Sequence, residues 1–174
     1  MDERILKLKN MTGRAMRHWV YFLYELSLEK NINEVLELGV LQAQSTRAIL
    51  CGFNEKRSGM LTSIDWRDRS RVIVDEDLKV YWRFIMGDMH NEGTIKKVSD
   101  RKYDLMLCDI VLDYNDIKKS FYKYFDLIKT DGIMLLHNVL PPHFEGISKF
   151  FKEINYPKII LPYGVAGMGI IQKL

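Results

Sequence analysis

The sequence is short of several things, and each shortage excludes a class of protein. Two cysteines in 174 residues, Cys51 and Cys108, make neither a disulfide framework nor a Cys-x-x-Cys metal cluster. Both sit in apolar stretches, where a free cysteine packs as a small hydrophobe. Four prolines are too few for a proline-rich or linker-rich chain, and there is no internal repeat. No apolar run approaches the roughly 18 residues of a membrane-spanning helix, and no charged-then-apolar leader opens the chain. The expectation is a soluble, cytoplasmic protein with no membrane partner. Charge of one sign is not in excess either: 26 Lys and Arg against 23 Asp and Glu leave a formal charge of +3. No basic stripe stands out, which argues against a dedicated nucleic-acid binder.

What is present is an ordinary globular mix, 47% hydrophobic and 28% charged, of a length that suits one domain spanning residues 1–174. Residues 14–30 read as a helix, with Met16, Trp19, Val20, Leu23 and Leu26 at helical spacing. The block from Trp19 to Tyr24 is apolar nearly all round, so a packing face or a homodimer face is expected there. Residues 1–32 then form an N-terminal helical cap, and residues 33–174 a core. In the core, short apolar runs alternate with amphipathic stretches. Strands are expected at 34–38, 60–64, 80–86, 103–108 and 133–136, with helices at 45–50, 114–128 and 144–154. Gly52 is expected to end the first of these helices, and Thr130-Asp131-Gly132 to turn the chain into the fifth strand. Two final strands, 158–161 and 169–172, are joined by a glycine-bearing turn. Continuous apolar strands alternating with helices indicate an α/β fold with a mostly parallel sheet covered on both faces.

In such folds ligands bind beyond the carboxyl ends of the strands. Those ends carry, in order, Glu37, Asp65, Asp88, Asp109 and the pair His137-Asn138. One polar residue at a strand end is turn chemistry or a helix cap; five in succession suggest a site. A carboxylate at the second strand end, Asp65, suits a ribose. Phosphates do not suit this surface. Gly39 is followed by Val40-Leu41-Gln42-Ala43-Gln44 with no second glycine, no Walker loop is present, and Glu37 would repel a phosphate. A positively charged nucleoside without phosphate, such as S-adenosylmethionine, complements the acidic rim. Glu37 and Asp109 then face its amino-acid end, Asp88 the adenine amino group, and the helix start at Ser45-Thr46 its carboxylate.

The run Val35-Leu36-Glu37-Leu38-Gly39 with Ser45-Thr46 resembles the first cofactor motif of class I S-adenosylmethionine-dependent methyltransferases. Tyr103 to Asp109 is similar to their fourth-strand motif, and Ile128 to Met134 to the turn before their fifth strand. Asp109 with His137-Asn138-Val139 most resembles the metal-dependent small-molecule O-methyltransferases of the catechol type. The resemblance covers residues 33–172. It implies a Rossmann-like, doubly wound, seven-stranded sheet ending in an antiparallel hairpin. It further implies that Glu37, Gly39 and Ser45 line the methionine portion, that Trp66 lies near the adenine, and that Gly87-Asp88-Met89 edges the adenine ring. Asp109, His137 and Asn138 fall where that subgroup holds a divalent metal. The chain departs from the pattern at Ala43, at His137 in place of an aspartate, and at Leu112 in place of a lysine.

Two chemistries stay open for oxygen methylation. A Mg²⁺, Mn²⁺ or similar ion held by Asp109, Asn138 and His137 would lower the acceptor hydroxyl's pKa. Without a metal, His137 or His143, the latter following Pro141-Pro142, would act as general base. Asp113 reads as the N-cap of the helix beginning at Tyr114; for Tyr21 and Tyr24 packing or a dimer face is the favoured role, and contact with the acceptor the alternative that the resemblance implies. Two other roles also fit: a cofactor-binding domain without catalysis, or a methyltransferase of nucleic acid or protein. Against the latter, Asn138-Val139-Leu140-Pro141-Pro142 is not the signature of enzymes that methylate base amino groups.

Overall fold

The computed structural model describes residues 2–11, 15–68, 74–110, 113–142 and 144–174. Seven strands form one sheet: β1 (Glu34–Leu38), β2 (Met60–Asp65), β3 (Trp82–Met86), β4 (Tyr103–Cys108), β5 (Ile128–His137), β6 (Lys158–Leu161) and β7 (Met168–Gln172). Their order is β3-β2-β1-β4-β5-β7-β6. The first five run parallel. β7 lies antiparallel to both β5 and β6, so the expected terminal hairpin is present. The winding reverses between β1 and β4, and their diverging crossovers open a crevice at the carboxyl ends.

Successive strand residues point to opposite faces, and two cores follow from that alternation. Val35, Leu105, Leu107 and Leu135 face α1 (Glu3–Lys9), α2 (Val20–Leu28) and α3 (Gln44–Lys56). Leu36, Leu38, Met106, Cys108, Met134 and Leu136 face α6 (Tyr114–Phe125) and α7 (Glu145–Glu153). Two short helices, α4 (Glu76–Lys79) and α5 (Glu92–Lys96), flank β3. Among the described residues no helix is long and apolar enough to cross a membrane.

The N-terminal segment departs from one continuous helix. A 3-10 turn, Ala15–His18, precedes α2, and the chain bends at Trp19. The apolar circumference that suggested a dimer face is largely taken up within the chain. Trp19, Val20, Leu23 and Tyr24 are buried in the α3-side core, which leaves Tyr21 and Phe22 half-exposed.

Gly52 lies inside α3 rather than at its end. A Cβ there would overlap Ser27 Oγ and lie 2.9 Å from the Tyr24 carbonyl oxygen. The glycine is where α2 and α3 touch backbone to backbone. Asp131 likewise sits within β5, at φ +64, and its N–H donates to the Lys173 carbonyl at 2.9 Å. The expected turn is thus an irregularity absorbed by a strand that the C-terminal tail also holds.

Candidate active site

The site is built around the exit of β1. Gly39 has φ +92, and a Cβ on it would stand 2.6 Å from the Asp109 carbonyl oxygen. Only glycine permits both the conformation and that approach of the β1 and β4 ends. The loop then passes through Leu41 at φ +47 and Ala43 at φ +57 before α3 begins. Left-handed backbone costs a non-glycine residue roughly 1–2 kcal/mol. Asp65, the last residue of β2, offsets that strain: its Oδ2 accepts from the N–H groups of Val40 at 3.0 Å and Leu41 at 3.1 Å. Its Oδ1 accepts from Arg67 N at 2.9 Å.

Beyond this loop lies a cavity of about 660 Å³. Gly39, Asp65, Trp66, Gly87, Asp88, Met89 and Asp109 line it, together with Leu41, Ile64, His90 and Ile110. Seven of the residues singled out in the sequence therefore meet in one hollow. Met89 is fixed from behind by Tyr124, whose hydroxyl donates to its carbonyl at 2.8 Å. Asp88 accepts from His90 N at 2.9 Å, and His90 Nδ1 pairs with the buried Ser120 hydroxyl at 2.6 Å. Trp66 is 68% exposed, with the Arg67 guanidinium 4.4 Å over its ring. Leu41 and Ile110 adjoin Gly39 and Asp109 in sequence, so the motifs themselves point to them. His90 likewise follows Met89, and its ring is placed by Ser120 on a distant helix.

Glu37 and Ser45 do not line the cavity. Glu37 shares the face of Val35, toward α3, and is fully buried. Its carboxyl accepts from Ser45 Oγ at 2.6 Å, Thr46 Oγ1 at 2.7 Å and Ser63 Oγ at 2.6 Å. Burial pushes its pKa up to about 7, against the pull of those three hydroxyls, and the negative charge of Asp109 adds to the rise. Glu37 thus works beneath the loop, knitting β1, β2 and the start of α3.

At the far side, Asp109 Oδ1 and His137 Nδ1 are 2.6 Å apart. His137 is 3% exposed, and its Nε2 is buried with no hydrogen-bond partner among the described residues. Asn138 is buried at φ +69, its N–H bonded to the Gly167 carbonyl at 3.2 Å. Of these three only Asp109 lines the cavity. Among the described residues no three His, Cys, Asp or Glu side chains cluster as metal ligands. Asp109 and His137 are paired with each other, which orients the imidazole. His143 and Leu112 lie outside the described residues.

A family model described as a methyltransferase domain matches residues 36–139, more than half of the chain. The chain belongs to the methyltransferase-domain family. Among curated proteins no sequence matches this methyltransferase. Several solved structures share its fold. A putative caffeoyl-CoA O-methyltransferase from Staphylococcus aureus is 17% identical, with a TM-score of 0.72 over 94% of this chain and 85% of that one. The SAH-bound methyltransferase PaMTH1 of Podospora anserina is 15% identical, with a TM-score of 0.75 over 100% and 89%. The O-methyltransferase TomG of Streptomyces achromogenes, in complex with SAM, is 14% identical, with a TM-score of 0.71 over 100% and 91%.

Proposed function

We propose that this methyltransferase, working in the cytoplasm, moves a methyl group from S-adenosylmethionine to an oxygen atom of a small molecule. One observation carries the reading: the cavity at the β1–β4 switch point gathers Asp65, Asp88 and Asp109 around apolar walls. That lining repels a pyrophosphate and welcomes a cationic nucleoside. The names of the Staphylococcus and Streptomyces proteins, and the SAH and SAM held by the fungal and Streptomyces structures, support it.

In this reading Asp65, at the end of β2, accepts hydrogen bonds from the ribose hydroxyls. Trp66 and Met89 flank the adenine, Asp88 receives its amino group, and Asp109 faces the cationic amino-acid end. Glu37 acts from below, fixing Ser45 and Thr46 where α3 starts. When bound, the sulfonium supplies a methyl carbon whose bond to sulfur breaks as the bond to the acceptor oxygen forms. The protein's contribution is alignment, an effect worth up to about 7–11 kcal/mol in well-oriented reactions. His137 Nδ1 pairs with Asp109, so the buried imidazole acts from behind, holding in place the carboxylate that faces the cavity.

The test is calorimetric titration with S-adenosylhomocysteine, followed by transfer from methyl-labelled S-adenosylmethionine to a panel of phenols and alcohols. Asp65→Asn should weaken S-adenosylhomocysteine at least about tenfold. His137→Asn should lower kcat and spare that affinity. Tighter binding of NAD than of S-adenosylhomocysteine would overturn the reading.

A further inference from the structure

A second cavity, of about 520 Å³, lies apart from the first, between the end of α1, the 3-10 turn, the start of α2 and the turn joining β6 to β7. No residue is shared between the two linings. Its walls are aromatic. Trp19 meets Phe22 at 6.0 Å and 74°, and Tyr163 at 6.0 Å and 89°. Tyr163 is 60% exposed and stands edge-on to His18 at 5.6 Å. Tyr163 is exposed and Phe22 half-exposed, so both can meet a flat ligand, while Trp19 is buried behind them.

The charge in the pocket has one sign. Lys9 and Arg17 line it, no Asp or Glu does, and neither cation has a carboxylate partner among the described residues. The Lys9 ammonium stands 4.5 Å over the Tyr21 ring, and Arg17 Nε donates to His18 Nε2 at 3.4 Å. Aromatic faces also attract cations, but here two fixed cations, one already on a ring, would repel a third. The volume is that of a small-molecule pocket.

We infer that this pocket binds a small aromatic molecule carrying a carboxylate. The ring packs on Phe22 and Tyr163, with the buried Trp19 behind them, and the acid group meets Arg17 and Lys9. The turn that carries Tyr163 runs on to Ala166 and Gly167, whose carbonyls accept from Leu140 N at 2.9 Å and Asn138 N at 3.2 Å. The pocket therefore shares the carboxyl-end rim with the Asp109–His137 pair. Its value as a subsite for the methyl acceptor rests on the methyltransferase reading; its preference for an aromatic acid does not.

The experiment is calorimetry on the full chain with 4-hydroxybenzoate and 2-naphthoate, each paired with its neutral amide. At least one acid should bind about tenfold more tightly than its amide. Arg17→Gln and Lys9→Gln should bring that acid close to its amide, while Tyr163→Ala, at an exposed turn position, should weaken both alike. Equal binding of acid and amide overturns the inference, as does an acid affinity unmoved by either cation variant. No heat from either acid at millimolar concentration overturns it too. Tighter binding of an oligonucleotide that displaces the acid would reassign the surface to nucleic acid. A parallel titration with S-adenosylhomocysteine should be unchanged in all three variants. Its failure in the unaltered protein would remove the methyltransferase reading and leave the pocket's chemistry standing.

Discussion

Glu37→Gln isolates the one carboxyl that is completely buried among the described residues. Its pKa rises from 4.5 to about 7 because burial outweighs three donated hydroxyl hydrogen bonds. A pKa raised on folding means that the native state holds a proton the unfolded chain has released. The stabilisation is then complete below the unfolded value of 4.5 and disappears as pH climbs through about 7. The rise of about 2.5 in pKa corresponds to a loss of about 3 kcal/mol across that window. Glutamine imitates the neutral acid, since its amide can donate once while Ser45, Thr46 and Ser63 rotate to suit. Urea denaturation at about pH 4 and about pH 8 reads the difference. The two proteins should be nearly equally stable in acid. At the higher pH the variant should gain on the parent by about 3 kcal/mol. An identical difference at both pH values would refute the reasoning, because Glu37 would then titrate as if it were in water.

Two further changes test how the scaffold holds the site. Gly52→Ala forces a methyl group into the α2–α3 contact and should cost about 1–3 kcal/mol in denaturant melts. Asp113→Ala removes the side chain that accepts from Asp116 N at 2.9 Å and caps α6. It should lower stability by about 1 kcal/mol and leave S-adenosylhomocysteine affinity unchanged.

The rim was legible because a parallel sheet puts the ends of its strands at one edge. Asp65, Asp88 and Asp109 follow from that rule, and the capping role of Asp113 from its place before an apolar-periodic run. Glu37 was not legible, because Leu38 continues β1 one residue further and strand parity turns the carboxyl toward α3. Gly52 misleads for a related reason: a glycine that serves a contact between helices looks, in one dimension, like a helix stop. The bend at Trp19 and the one-turn helices α4 and α5 carry too few residues for a period to show. The bond between His137 and Asp109 joins side chains 28 positions apart, and only the pairing of β4 with β5 brings them together.

The grip of Asp65 on the Val40 and Leu41 amides has a thermodynamic corollary. A loop already moulded by its own carboxylate need not be ordered by the guest. Docking should therefore resemble a key entering a rigid lock, with a heat-capacity change that tracks only the apolar surface covered and carries no added folding contribution.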